Sequence, residues 1–202
     1  MGSKGEETRR EILGNALALA SEVGLSGLSI GLLADRVGMS KSGLFAHFAS
    51  KERLQVAVLE EASARFVARV VTPALRSPRG RARVLALFEH WLKWEQQVDI
   101  MPGGCVFMAA SAELDDQPGP ARDQLVASQR DWQETIAQAA RIAKREGHFQ
   151  AQLDEAQFAY ELYGIMSSYY YHQRLMRDEH AEQRARKAFD RLLADASREP
   201  QS

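Results

Sequence analysis

The residues best placed to do chemistry lie between positions 38 and 51, and the chemistry they suit is contact with nucleic acid. Gly38-Met39-Ser40-Lys41-Ser42-Gly43-Leu44-Phe45-Ala46-His47-Phe48 sets a glycine break and a capping serine ahead of a short helix. Gly38 allows a backbone conformation that costs most residues energy. Met39 is apolar and plugs the angle of the turn, and the Ser40 hydroxyl accepts from orphan N–H groups of the helix that follows. Leu44 and Phe48, four apart, seat that helix on a small core. Lys41, Ser42, Phe45 and His47 then fall on or near the exposed side. Two short helices joined by three or four residues with a glycine form a helix-turn-helix pattern. A helix so presented fits the major groove, its N-terminal residues nearest the base edges. Lys41 is the side chain for a base-edge or phosphate contact, with Ser40 and Ser42 as lesser contributors.

Other chemistry finds little footing. The sequence has no GxGxxG, G-x-S-x-G, GxxxxGK[ST] or HExxH, so no nucleotide loop, nucleophile elbow or zinc helix is expected, and the reading is not an enzyme. The single cysteine, Cys105, has apolar neighbours that predict burial rather than redox sensing. Glu113, Asp115 and Asp116 lack the spacing of a calcium loop, and His90, His148, His172 and His180 are scattered. No metal and no cofactor is expected.

Composition sets the frame. The chain of 202 residues is one ordinary domain, or a small module joined to a larger one. At 45% apolar and 26% charged residues it excludes a disordered chain. A formal net charge of −1 excludes a basic nucleic-acid coat but allows a basic face. Arg65, Arg69, Arg76, Arg79, Arg81 and Arg83 form a basic stretch, read as a solvated face with at most a minor steering role. No apolar stretch reaches 18 residues and no apolar signal segment opens the chain, so no membrane contact is expected and the reading is cytoplasmic.

The elements that position these residues read as all-α, with about nine helices, since strand alternation is absent and good helix formers dominate. Met1 to Glu7 reads as a tail and Thr8 as the cap of a first helix ending at Gly24. Ser29 caps a second helix to Val37, and the third ends near Phe48. Ser50 caps a long fourth helix that Pro73 stops. Ser77-Pro78 starts a fifth helix carrying Val84 to Val98. Met101-Pro102-Gly103-Gly104 breaks the chain ahead of an apolar helix, Cys105 to Ala112. A long helix runs from about Arg122 to Glu146 and ends at Gly147. Asp154 with Gln157 reads as a capping box, and a last helix spans roughly Glu179 to Ala196. The division expected is 1–50 as three short helices with the helix-turn-helix, 51–197 as longer helices with larger apolar faces, and 198–202 as a tail; the resemblance described next implies a DNA-binding domain for the first and an effector-binding and dimerisation domain for the second.

The run from Arg9 to Leu59 resembles the DNA-binding domain of the TetR family of bacterial transcriptional regulators. Ile12, Ala16, Leu19, Gly24, Ser29-Ile30, the helix and turn to Gly38, Ser40 through Phe48, and Ser50-Lys51-Glu52 with Leu54 carry the resemblance. It covers about a quarter of the chain, with the start of the fourth helix at 51–59 included. It implies that Lys51 reaches a DNA phosphate and that Thr8 and Arg9 touch the backbone. The family usually has tyrosine where this chain has Phe45, so one hydroxyl-to-phosphate bond is lost. Phe45 keeps an apolar surface, for instance for a thymine methyl.

The resemblance also gives the large C-terminal helices two purposes. Its last two helices pair with their twofold mates, here about Asp154–Leu175 and Glu179–Ala196. Gly164 and Ser168 on the first and Ala181, Ala185, Ala188, Phe189 and Leu192 on the second fit a close interface. The effector cavity implied between the fourth and eighth helices draws on Phe66, Phe88, Trp91, Met101, Cys105 and Phe107. It also draws on Met108, Trp132, Ile136, Tyr163 and Met166. Each of these side chains serves equally as plain core. Aromatic and methionine side chains suit an adaptable pocket for an apolar or aromatic small molecule. The expected function is that of a homodimeric repressor on a palindromic DNA operator, released by that effector. The alternatives are an activator of the same build, or a helical dimer that binds a small molecule or protein without operator activity.

Overall fold

The computed structural model describes residues 4–197; the tails expected at 1–3 and 198–202 lie outside them. Among the described residues the chain is all-α, with nine α-helices of eight residues or more. They are α1 (Lys4–Val23), α2 (Ile30–Val37), α3 (Lys41–Phe48), α4 (Lys51–Phe66), α5 (Arg81–Glu95), α6 (Val106–Leu114), α7 (Pro120–Arg145), α8 (Glu155–Arg174) and α9 (Ala181–Ser197). The chain forms two compact units, one of 1–67 with 95–128 and the other of 68–94 with 129–202.

In the first unit α1 lies against α2, α4 and α6, and α3 lies against α2 and α4. Ala16, Leu17, Leu25, Leu28, Leu33, Leu44, Leu54, Val58 and Leu59 are at most 1% exposed and fill its centre. The tail expected at Met1 to Glu7 is helical in its described part, residues 4–7, and Thr8 lies a turn inside α1 rather than at its cap. Glu6 and Glu7 sit in the first turn, where a negative charge favours the positive end of the helix dipole.

The expected stop at Pro73 is not there. After Phe66 the helix widens into a π stretch, Val67–Val71, and a last turn, Thr72–Leu75, follows. Pro73 falls at the first or second position of that turn, where its missing N–H is not needed. Nor do Ser77-Pro78 start α5, which begins three residues later at Arg81. Arg83 Nη2 donates to the carbonyls of Leu75 (3.1 Å) and Ser77 (3.0 Å), which draws this segment off the helical path. Val98, placed on the same helix by the sequence, lies beyond its end and is 64% exposed.

The second unit is built on aromatic contacts. Phe88 of α5 stacks on Phe189 of α9 with centroids 4.0 Å apart, and Trp91 meets Tyr169 of α8 edge-on at 5.5 Å. Such pairs add directional packing to their area burial. Arg186 of α9 grips the Glu89 carboxylate of α5 through both terminal nitrogens. Asp154 caps α8, accepting from Ala156 N and Gln157 N at 3.0 Å each. The capping box is one-sided, because the Gln157 amide turns to Glu161 (2.8 Å).

Candidate nucleic-acid interface

Four local caps build the helix-turn-helix. Ser29 Oγ accepts from Leu32 N (3.2 Å) to start α2. Gly38 ends it in the left-handed region at φ 66°, returning its N–H to the Ala34 carbonyl. Ser40 Oγ accepts from Gly43 N (3.1 Å) to start α3. Ser50 Oγ accepts from Arg53 N (3.1 Å) to start α4. Each is a serine or glycine where the free N–H groups of a helix end, or a left-handed residue, call for one. The result fixes α3 in orientation with Leu44 and Phe48 buried at 0% and 3%.

That seating leaves Lys41, Ser42, Phe45, Ala46 and His47 exposed in one short stretch. The hydroxyls of Ser40 and Ser42 lie 3.2 Å apart. The other named DNA residues are engaged within the unit. Arg9 Nη1 donates to the His47 carbonyl (3.1 Å), and its guanidinium lies 5.1 Å from the centre of the Phe48 ring. Arg9 therefore ties α1 to the end of α3, a cation–π contact adding to the hydrogen bond. Lys51 Nζ donates to the Ser26 carbonyl. Thr8 is half-buried on α1. Of the basic stretch, Arg65 pairs with Glu61 (2.7 Å) and Arg83 holds the two carbonyls described above.

Sequence reasoning missed Glu113. Its carboxylate reaches from α6 to the turn between α1 and α2, accepting from Leu25 N (3.2 Å) and Ser26 N (2.6 Å). The Ser21 hydroxyl of α1 accepts from Gly103 N (3.0 Å). The segment 95–128 is thus fastened to the α1–α2 corner at two points.

The residues named for an effector pocket fall in both units. In the first, Met101, Cys105 and Phe107 are buried, Phe66 meets Phe107 edge-on at 6.1 Å, and Met108 is half-buried. In the second, Phe88, Trp91, Trp132, Ile136 and Met166 are buried, and Tyr163 donates its hydroxyl to Gln129 (2.9 Å). Gly164, Ser168, Ala181, Ala185, Ala188 and Leu192 line an open groove of about 600 Å³ along α8 and α9. Phe189 is 2% exposed and faces the other way, into the core of its own unit. His172 Nδ1 lies 2.8 Å from the Ser168 carbonyl. No helix among the described residues is long and apolar enough to cross a membrane.

Known proteins place this arrangement. Residues 80–189 match the family described as tetracyclin repressor-like, C-terminal domain, and residues 12–58 match bacterial regulatory proteins, tetR family. The first match alone spans more than half of the chain, and the chain belongs to the TetR family. It is, at the level of that family, a DNA-binding regulator of transcription. No curated protein matches the chain at the sequence level.

Solved structures agree in fold. A TetR transcriptional regulator from Chloroflexus aurantiacus shares 23% identity over 95% of this chain and 94% of its own, with a TM-score of 0.83. A regulator from Saccharomonospora viridis, solved in complex with choline, shares 20% over 96% and 100% with a TM-score of 0.80. AibR, solved with isovaleryl coenzyme A and operator DNA, shares 21% over 93% and 97% with a TM-score of 0.70. At these identities the likeness shows the fold.

Proposed function

We propose that this protein is a homodimeric repressor that binds a palindromic operator and leaves it when a small-molecule effector binds. The observation that carries the proposal is α3. It is capped at its start, seated by Leu44 and Phe48, and bare on the side that bears Lys41, Ser42, Phe45 and His47. A helix fixed in this way enters the major groove without first paying to order itself. Ser40, Lys41, Ser42, Phe45 and His47 face the duplex in this proposal, while Thr8, Arg9 and Lys51 serve the phosphate backbone. Such backbone contacts set register and carry no sequence information.

The groove along α8 and α9 supports the dimer. Among its lining residues a glycine, a serine and three alanines let a second copy approach closely, and a twofold pair suits a palindromic site. In this reading residues 1–50 form the DNA-binding domain and 51–197 the effector-binding and dimerisation domain. The relatives holding choline and isovaleryl coenzyme A support an effector-responsive role. For this chain the effector is proposed to be apolar or aromatic. It acts by binding two conformers unequally, and α4, which begins at the DNA-binding domain, is the lever.

Selection of random duplex DNA by the purified protein at stated salt, followed by sequencing of the retained pool, tests the reading. Enrichment of a twofold-symmetric motif is expected. A folded dimer that enriches nothing would overturn the operator reading in favour of a binding dimer.

A further inference from the structure

The exposed side of α3 carries apolar groups as well as polar ones. At about 3.6 residues per turn, the side opposite Leu44 and Phe48 belongs to Ser42 and Ala46, with Phe45 on the flank one turn along from Ser42. Phe45 is 56% exposed, and Ala46 is exposed beside it. Ser42 shares its hydroxyl with Ser40, which already holds the Gly43 amide. The Lys41 side chain runs back over α2, its Nζ 3.7 Å from where a Cβ on Gly31 would stand. His47 turns its ring toward Phe48, with centroids 6.3 Å apart. Beside the exposed Lys41, Ser42 and His47, an aromatic ring and a methyl group project.

In the major groove the one apolar feature of a base edge is the C5-methyl of thymine, and alanine and phenylalanine are among the side chains that meet it. We infer that Phe45, flanked by Ala46, reads the C5-methyl of a thymine in each operator half-site. The inference rests on the reading of α3 as the recognition helix. Leaving this ring in water is unfavourable, and a methyl against it removes apolar surface from water on both sides. A cytosine at that position offers no methyl.

The test replaces thymine by deoxyuridine, which removes the methyl alone, at each thymine of the site enriched by the full-length protein. At one position in each half-site, a single replacement is expected to weaken binding about fourfold, the worth of one buried methyl-sized group. Replacement in both half-sites weakens it about fifteenfold by the same arithmetic. Phe45→Ala is expected to bind more weakly and to treat thymine and uracil alike, while Phe45→Leu keeps part of the difference. Phe45 is exposed, so the melting temperature of each variant should match that of the parent and separate lost reading from lost folding. Equal binding of the two duplexes by the parent protein would overturn the inference and leave the operator reading standing. A penalty of the same size in Phe45→Ala would overturn it as well, assigning the methyl to DNA shape. Enrichment of no site by the folded dimer would overturn the operator reading itself, and this inference with it.

Discussion

Glu113 and Ser26 are 87 residues apart in sequence, yet the Glu113 carboxylate accepts the Ser26 N–H at 2.6 Å and the neighbouring Leu25 N–H at 3.2 Å. A carboxylate on α6 thereby supplies the acceptor that the turn after α1 lacks. Gly24 makes room for it. The residue sits at φ 79°, and a Cβ there would stand 2.6 Å from Glu113 Oε1. Charge-assisted bonds of this kind are shorter and stronger than neutral ones. Glu113→Ala leaves two backbone donors without their carboxylate and is expected to destabilise the protein by about 1–3 kcal/mol. A urea unfolding curve measures it; an unchanged midpoint would show that water replaces the carboxylate at no cost.

Lysine contacts to phosphate leave a signature in salt. Lys51→Ala removes one proposed phosphate contact per protomer. It is expected to weaken binding to all duplexes alike and to lower the slope of log affinity against log salt by about two per dimer. Phe45→Ala is expected to change the preferred sequence and leave that slope in place. Titrations of both variants at several salt concentrations separate the two roles.

A carboxylate in the α8–α9 groove tests the dimer. Ala188 is half-buried there, and Ala188→Glu places a charge where a second copy would pack. Sedimentation is expected to show a folded monomer, and affinity for the palindromic site should fall to that of a single half-site. A variant that remains dimeric would locate the interface elsewhere.

The turn between α7 and α8 carries an acid-sensitive pair. Lys144 Nζ donates to the Leu153 carbonyl (2.9 Å) and to Glu155 (3.0 Å), and this bond holds the Glu155 carboxyl below its ordinary value of 4.5. A lowered carboxyl contributes stability above its unfolded value and loses it as pH falls through the folded one. The difference in stability between the parent and Glu155→Gln should therefore be present at neutral pH, at about 0.5 kcal/mol, begin to fade below the ordinary value and vanish only below the lowered, folded one. Thermal melts across that range read it. A difference that persists in acid would mean that the bond is not ionic.

The helix-turn-helix was legible because its signals are local. Ser29, Gly38, Ser40 and Ser50 each act on a backbone group within four residues, so the element bounds follow from residue type. Where distant atoms intervene, the sequence misleads. Ser77-Pro78 has the form of a helix start, but the Arg83 guanidinium takes the Ser77 carbonyl. Pro73 reads as a stop until the π stretch carries it to a helix-start position. In the site, exposure of Lys41, Ser42, Phe45 and His47 followed from the spacing of Leu44 and Phe48. Glu113 did not, because its partners lie 87 and 88 residues away and an acidic residue on an apolar helix names no acceptor role. The bond from Arg9 to the end of α3 was hidden for the same reason, 38 residues separating donor and acceptor.

In the proposed dimer two copies of α3 read two successive major grooves. Binding to a series of duplexes, in which the enriched half-sites are moved apart one base pair at a time, tests it most directly. Affinity is expected to peak at one separation near one helical turn, about 10 base pairs between half-site centres, and to collapse when half a turn is added. Binding that ignores the separation, or that is as tight to one half-site as to two, would contradict the claim.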